Sequence, residues 1–278
     1  MFIFDVVPLT FIPLSQPQLL SYFSPKEAQK GGLVEISLGK RKSLAVIIHC
    51  EPVSKRKAAI KQADFSLKPV AKILTPTPIF APISFQLANF LSHYYFIPLS
   101  FSLKTVLPKN LLTLINFLNP PLADNLELIK SNQSTLENSK LPPRGLNFPT
   151  LINLIKKSNK TNAQILILTP TIFHQEYYYH KLKTEVSEMN LVNFSPSWPK
   201  KQYCQLYQNL ISPKENYLVL GPKSAIFLPW TNLDLIVIMD SNNPVYATTQ
   251  KLPHYNTLTV SKILANYFHA QLAYFQNY

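Results

Sequence analysis

An aspartate at the end of an apolar run has the clearest potential for chemistry in this sequence. Residues 235–240 read LIVIMD, and Asp240 is followed by Ser241, Asn242 and Asn243. Such a run is typical of a buried parallel strand, and an acid at its carboxyl end is where nucleotide-hydrolysing proteins hold magnesium. The next position in those proteins normally supplies a carboxylate that activates water, but here it is Ser241. The run fits an ATPase, the remnant of one, or an unrelated α/β domain.

Phosphate-binding loops are absent from the sequence. Only five glycines occur in 278 residues, well under the usual ~7%. A phosphate loop needs glycines that let successive amides face the phosphates, followed by Lys and Ser or Thr. Neither G-x-x-x-x-G-K-[ST] nor G-x-G-x-x-G is present, and the nearest fragment, Gly39-Lys40-Arg41, lacks the hydroxyl. We therefore predict no catalytic residue, and ATP and magnesium only if a degenerate site still holds them.

Metal, disulfide and nucleophilic chemistry have no support in the pattern of His, Cys and Ser. The six histidines show no ligand spacing, and Cys50 and Cys204 lie far apart outside any paired spacing. A zinc site or a disulfide framework requires such spacing. No metal site is predicted.

The chain is strongly basic, with a net charge of +13 that is unevenly distributed. Residues 1–110 hold 13 Lys and Arg against 5 Asp and Glu, and residues 111–278 hold 14 against 9. This charge predicts a polyanionic partner, nucleic acid before membrane, because no basic amphipathic helix accompanies it. Without a run of ~18 apolar residues or a basic leader, we expect a soluble cytoplasmic protein.

Two basic clusters lie in the first sixty residues. Strand-like residues 33–38 and 44–48 flank Gly39-Lys40-Arg41-Lys42-Ser43, which predicts a β-hairpin with three cations at its tip. Such a tip can contact phosphates. The second cluster, Lys55, Arg56 and Lys57, is predicted to lie in a polar loop, and Lys68 is placed on a short returning strand at 67–74.

A helix is predicted at 83–95, with aromatic residues at its end. Tyr94, Tyr95 and Phe96 could stack on bases, but aromatics at a helix end more often close a core. Residues 109–143 mix Pro, Asn and Ser around a short apolar stretch and are interpreted as a linker.

The remaining residues alternate between helical and strand patterns. Helices are predicted at 150–157, 172–184, 200–210 and 258–274, and strands at 164–168, 191–194, 217–220 and 235–240. This alternation indicates a parallel α/β sheet with its ligand crevice at the carboxyl ends of the strands. The predicted fold class is mixed α/β, with a small β-rich domain at 1–108, the linker, and an α/β domain at 144–278.

Two segments together resemble the primosomal protein N-prime (PriA) family of replication-restart helicases. The amino-terminal segment resembles the 3′-DNA-binding domain of that family at 31–36, 39–40, 67–70, 93–95, 98–99 and 107–108. The second resembles its first RecA-like helicase lobe at 168–170, 221–229, 235–240, Tyr246, Gln250 and 253–255. The stretch 221–229 is the strongest match, since it is similar to the family pattern G-T-R-S-A-x-F-x-P.

The departures from the family concern its ATP site. Where the family has its phosphate loop, residues 143–148 read PRGLNF, without the lysine and the hydroxyl, and where the family reads D-E-E-H the chain reads Asp240-Ser241-Asn242-Asn243. The degenerate nucleotide site would comprise Gly145, Asn147 and Asp240. The winged-helix segment is expected to be replaced by the linker, and the second lobe and zinc module to be missing, because the sequence ends at Tyr278. Negligible hydrolysis is expected, because phosphoryl transfer depends on positioning and electrostatic stabilisation.

The resemblance also implies a pocket for the 3′ end of DNA beside the basic hairpin. Carried over by position, this pocket would comprise Leu20, Ser21, Gly39 and Lys68. Ser21 stands where the family usually has an aspartate that helps hold the terminal nucleotide.

Three hypotheses follow for function. The first is a DNA-binding, catalytically inactive relative of the restart helicase that binds forked or single-stranded DNA near the nucleoid, with other restart proteins as potential partners. The second is an ATP-dependent 3′–5′ helicase completed by another chain, and the third is a protein-interaction module of the replication machinery.

Overall fold

The computed structural model describes residues 1–61, 66–78, 80–108, 111–117, 147–158, 160–248 and 254–275, with only the backbone for 58–61. The chain divides into two units, the amino-terminal unit Met1–Glu127 and the carboxy-terminal unit Leu128–Tyr278. The division falls inside the predicted linker 109–143, most of which lies outside the described residues. The predicted domain boundaries therefore stay a prediction.

The amino-terminal unit is built on one six-stranded sheet. Its strands lie in the order β5-β2-β1-β4-β3-β6, and every neighbouring pair is antiparallel except β2 with β5. The strands are β1 (Phe2–Pro8), β2 (Leu20–Ser24), β3 (Leu33–Leu38), β4 (Arg41–Pro52), β5 (Lys68–Pro69) and β6 (Lys72–Thr75).

Curvature of this sheet brings β2 and β3 together across its inner face. Two strands separate β2 from β3, so a flat sheet would hold them about 14 Å apart. The Tyr22 hydroxyl on β2 nevertheless donates a hydrogen bond to the Ser37 carbonyl on β3 at 2.8 Å. Burial raises the pKa of Tyr22, and the ring belongs to an apolar core that includes Phe4, Val6 and Ile36.

Helices complete the amino-terminal unit. They are α1 (Val53–Lys61), α2 (Pro82–Tyr94), α3 (Leu99–Val106) and α4 (Leu111–Phe117), and α2 packs against α3. The prediction of a polar loop for the cluster Lys55, Arg56 and Lys57 was wrong, because these residues form part of α1. No sequence pattern predicted α3, whose buried face is formed partly by Ser100 and Ser102.

The carboxy-terminal unit contains a five-stranded, fully parallel sheet in the order β13-β10-β7-β9-β8. The predicted mixed α/β fold class is thereby confirmed. Its sheet strands are β7 (Gln164–Leu168), β8 (Asn190–Asn193), β9 (Tyr217–Gly221), β10 (Leu233–Met239) and β13 (Gln271–Phe275), and a separate short ribbon pairs β11 (Ala247–Thr248) with β12 (Tyr255–Asn256). Its helices are α5 (Phe148–Lys156), α6 (Ile172–Glu185), α7 (Lys200–Ile211) and α8 (Thr257–Phe268).

The last predicted helix, 258–274, was too long. Helix α8 ends at Phe268, and His269 takes a left-handed backbone conformation with φ 52° that reverses the chain. Residues 271–275 then pair in parallel with β10, as β13. Apolar residues at 272–275 satisfy a helix or an edge strand equally well, so only the neighbouring strand decides between them.

No helix within the described ranges is both long enough and apolar enough to cross a membrane.

Candidate nucleic-acid interface

The β3–β4 hairpin has a tighter turn than the sequence pattern predicted. Leu38 pairs with Arg41, so only Gly39 and Lys40 form the turn, and Arg41 and Lys42 already belong to β4. Gly39 has φ +61°, a conformation that glycine adopts without steric cost. The predicted hairpin is thus present, but one of its three cations stands in the turn and two stand on the strand behind it.

The three hairpin cations differ in how freely they can meet an anion. Lys40 and Arg41 are exposed, and among the described residues no ion pair involves either of them. Lys42 Nζ lies 2.9 Å from Glu35 Oε1 on β3, and this hydrogen bond raises the pKa of Lys42. Lys40 and Arg41 are therefore the available charges of the hairpin.

Three of the four predicted pocket residues lie on or beside the inner face of the sheet. Lys68 on β5 pairs with Tyr22 on β2, and Leu20 lies two residues before Tyr22, on the same face because strand side chains alternate. Tyr22 reaches Ser37, two residues before Gly39. The structure thus places Leu20 and Lys68 on the face of β2 and β5 that Tyr22 shares, and Gly39 in the turn that follows β3.

Ser21 points to the opposite face of the sheet from Leu20 and Lys68. It pairs with Asp5 on β1, and its hydroxyl donates a 2.6 Å hydrogen bond to Asp5 Oδ1. The fourth predicted pocket residue therefore has its side chain engaged with a buried carboxylate.

Arg56, on α1, joins the polar cluster that Asp5 forms with Ser21. Its guanidinium donates to both Asp5 oxygens, at 2.9 and 2.7 Å, and also contacts the Glu51 carboxylate. Burial alone would raise the pKa of Asp5, but the hydrogen bonds from Arg56 and Ser21 outweigh it and hold that pKa below its usual value. Arg56 is thus an internal ion-pair partner, whereas Lys55 and Lys57 on the same helix are exposed.

The residues predicted to form a degenerate nucleotide site include the start of α5. Gly145 lies outside the described residues. Asn147 caps the helix, because its Oδ1 accepts from the Thr150 amide at 3.0 Å and from the Thr150 hydroxyl at 2.6 Å. Pro149 has no amide hydrogen. The first turn of α5 therefore offers few free amides to a phosphate.

Asp240 follows β10 directly and holds the next turn together. It has φ 50°, and its Oδ2 accepts a 3.0 Å hydrogen bond from Asn243 Nδ2, while its carbonyl accepts from the Asn243 amide at 2.9 Å. The carboxylate is thus engaged within its own turn, beside a buried Ser241.

Tyr246, which the family resemblance included without a role, also lies at the carboxyl ends of the strands. Its buried hydroxyl lies 2.7 Å from the Met239 carbonyl at the end of β10 and 3.1 Å from the Leu168 carbonyl at the end of β7. Burial, and then the charge of Asp240, raise the pKa of Tyr246. A phenol of the chain itself therefore fills the point where the carboxyl ends of these strands meet.

Metal-binding clusters are not found in the described part of the chain, where no three His, Cys, Asp or Glu residues stand close enough to share an ion.

The amino-terminal unit matches a known domain. Residues 10–108 match the family model of the PriA 3′DNA-binding domain. The chain is PriA-like. Two replication restart proteins PriA of Helicobacter pylori, from strains 26695 and J99, are 27% and 28% identical to it over 264 residues. The alignments cover 91% of this chain and 40% of each relative, so the chain spans under half the length of the curated relatives it matches.

Proposed function

We propose that this chain is a DNA-binding protein of the replication-restart type that binds forked or single-stranded DNA through its amino-terminal unit. The observation that carries the proposal is the match of residues 10–108 to the PriA 3′DNA-binding domain. DNA is the proposed partner, alongside other restart proteins, and the proposed location is the nucleoid in the cytoplasm.

The distribution of charge in the amino-terminal unit supports this proposal. Residues 1–110 carry a net charge of +8. Asp5 and Glu51 contact Arg56, and Glu35 contacts Lys42, so three of the five acids in this stretch already have a cationic partner. Lys40, Arg41 and the edge-strand residue Lys68 remain available to phosphates, the groups that dominate the affinity of proteins for DNA.

A salt titration of fork binding tests this function. Each phosphate neutralised by a lysine or arginine contributes about −0.9 to the slope of log K against log salt on duplex DNA. We expect a steep decline in affinity for a forked oligonucleotide, measured by fluorescence anisotropy between low and physiological salt. A flat response, or no binding at low salt, would contradict the proposal.

We also propose that the chain neither hydrolyses ATP nor requires magnesium. Asn147 caps the amino terminus of α5, and the Asp240 carboxylate accepts a hydrogen bond from Asn243. The Tyr246 hydroxyl lies at the carboxyl ends of β7 and β10. Calorimetry with ATP and magnesium should give no heat of binding, and turnover with DNA present should equal the buffer blank. ATP turnover that disappears in Asp240→Ala would overturn this part of the proposal.

A helicase completed by another chain is the second candidate. It is favoured by the alignment of the two PriA relatives over 91% of this chain, which includes the parallel sheet, and by the 60% of their length that lies outside it. Coding sequence downstream for a second lobe, and DNA unwinding on mixing the two products, would select this candidate over the first.

A further inference from the structure

The carboxyl end of α2 exposes two aromatic side chains to solvent. Phe96 is 84% exposed, the highest value among the large apolar residues of the described part of the chain, and Tyr94 is 60% exposed. The core side of the same helix is already formed by Leu87, Ala88 and Leu91. The expectation that aromatics at this helix end close the core is therefore wrong for Tyr94 and Phe96.

The backbone at Phe96 is unfavourable for a phenylalanine. Phe96 has φ 51° and follows the end of α2. Two backbone hydrogen bonds of 3.1 Å flank it, from the Tyr95 amide to the Leu91 carbonyl and from the Ile97 amide to the Ser92 carbonyl. This left-handed position after a helix is usually glycine and sometimes asparagine. Neither the fold of this turn nor the core calls for an aromatic ring there.

Comparison with other left-handed residues sharpens this point. In the described ranges, the other non-glycine residues with positive φ are Asn162, Asp240 and His269. Asn, Asp and His are the types most tolerant of this conformation, whereas a bulky residue there is an outlier. Conformational strain retained in this way is commonly found at functional sites.

The Tyr94 ring, two residues before Phe96 in the chain, is held in a defined orientation. It stacks on Phe90 one helical turn earlier, with ring centroids 5.0 Å apart and planes inclined by 20°. The Tyr95 and Tyr94 rings form a T-shaped pair with their centroids 4.9 Å apart. Because its neighbours already hold this partly exposed ring in place, ordering the ring on binding costs less conformational entropy.

We propose that Tyr94 and Phe96 form a stacking platform for unpaired bases of DNA. The inference rests on the proposed function, because it requires that the amino-terminal unit bind DNA. A base offers a flat π-face, so stacking is tolerant of sequence, while cations elsewhere on the unit hold the phosphates. The net charge of +8 in residues 1–110 suits such a polyanionic ligand better than an apolar protein surface.

Replacing Phe96 with glycine separates binding from stability. Glycine suits φ 51° and removes the exposed ring, so we expect the urea midpoint of unfolding to stay unchanged or to rise. Affinity for a single-stranded oligonucleotide should fall about five-fold or more, on the scale of one base stacked on one aromatic ring. Affinity for blunt duplex DNA, whose bases are already stacked, should not change.

Two controls make this test specific. Phe96→Tyr keeps an aromatic ring and should retain single-strand affinity. Phe173→Ala removes a ring that is 82% exposed on α6 of the carboxy-terminal unit and should leave DNA binding unchanged. If Phe96→Gly loses stability, Tyr94→Ala provides a second variant, because it leaves the left-handed turn intact and should weaken single-strand binding in the same way.

The outcomes distinguish this inference from the proposed function. A wild-type chain that binds forks, with Phe96→Gly or Tyr94→Ala binding single strands equally well, overturns the platform and leaves the proposed function in place. That result would assign the exposed rings to a protein partner. A wild-type chain that binds no DNA overturns both.

Discussion

Replacing Arg56 with alanine is expected to destabilise the amino-terminal unit by about 3 kcal/mol at neutral pH. The guanidinium donates to both oxygens of Asp5, which is 5% exposed, and contacts Glu51 as well. Removing it leaves a buried carboxylate whose one remaining side-chain hydrogen bond among the described residues comes from the Ser21 hydroxyl. Urea unfolding of the full chain, followed by circular dichroism, measures the loss.

Lys55→Ala and Lys57→Ala are the matched controls. Both residues flank Arg56 on α1 and are exposed, so each should change stability by no more than about 0.5 kcal/mol. If Arg56→Ala behaved like these neighbours, the Asp5 cluster would not stabilise the fold, and Arg56 would return to the list of cations available to DNA.

The effect of Arg56→Ala should depend on pH in a defined direction. Burial raises the pKa of Asp5, but Arg56 and Ser21 lower it further, so the folded-state value lies below the unfolded one. The stability that Asp5 contributes is therefore present above the unfolded pKa of about 3.9 and is lost as pH falls through the lower folded value. The difference between the wild type and Arg56→Ala should be largest near neutral pH and should shrink below about pH 4. A difference that grew with acid would contradict this account.

The double variant Lys40→Ala, Arg41→Ala is expected to bind a forked oligonucleotide roughly 50-fold more weakly at 0.1 M salt, on the scale of 0.9 log units per neutralised phosphate. The slope of log K against log salt should become shallower by about 2. Because phosphates carry no sequence information, the loss should be the same for unrelated sequences. Fluorescence anisotropy at several salt concentrations gives both quantities.

Lys42→Ala is the control for the hairpin, because Lys42 is 72% exposed but lies 2.9 Å from Glu35 Oε1. Its charge is already balanced within the hairpin, so the single variant should leave the slope nearly unchanged. Affinity and slope that stay at wild-type values in the double variant would exclude the hairpin as the DNA contact. If Lys40→Ala, Arg41→Ala and Lys42→Ala, each made singly, weakened binding equally, the ion pair between Lys42 and Glu35 would have to open when DNA binds.

Elements whose residues are specified by local pattern could be predicted from the sequence. Strands β3 and β7 have the predicted bounds, and β8, β9 and β10 differ from prediction by one or two residues at one or both ends. Buried parallel strands form nearly continuous apolar runs, and this signal survives without knowledge of their neighbours. The order of the parallel strands and the pairing of β13 with β10 could not be obtained in this way, because they depend on contacts between distant residues.

In the candidate site, too, local sequence predicted some features and contacts between distant residues decided the others. The residue types and positions of Lys40, Arg41, Lys42, Arg56 and Lys68 indicated a polyanion, but the sequence did not show which of these cations are paired within the fold. Asp5 lies 51 residues from Arg56 and meets it only when β1 pairs with β4 and α1 follows β4. That contact separates an internal ion pair from the exposed charges Lys40 and Arg41.

The sequence by itself determined that a basic, β-rich segment precedes an α/β segment with an apolar run ending in Asp240. It also determined that no phosphate-binding loop is present, because composition, hydrophobic period and short motifs are local properties. Tertiary structure alone decided that Arg56 pairs with Asp5 and that Ser21 faces away from Lys68. It also decided that Tyr246 lies at the carboxyl ends of β7 and β10, and that Phe96 is exposed in a left-handed turn. Burial and charge pairing depend on which distant residues meet, and local sequence does not specify those meetings.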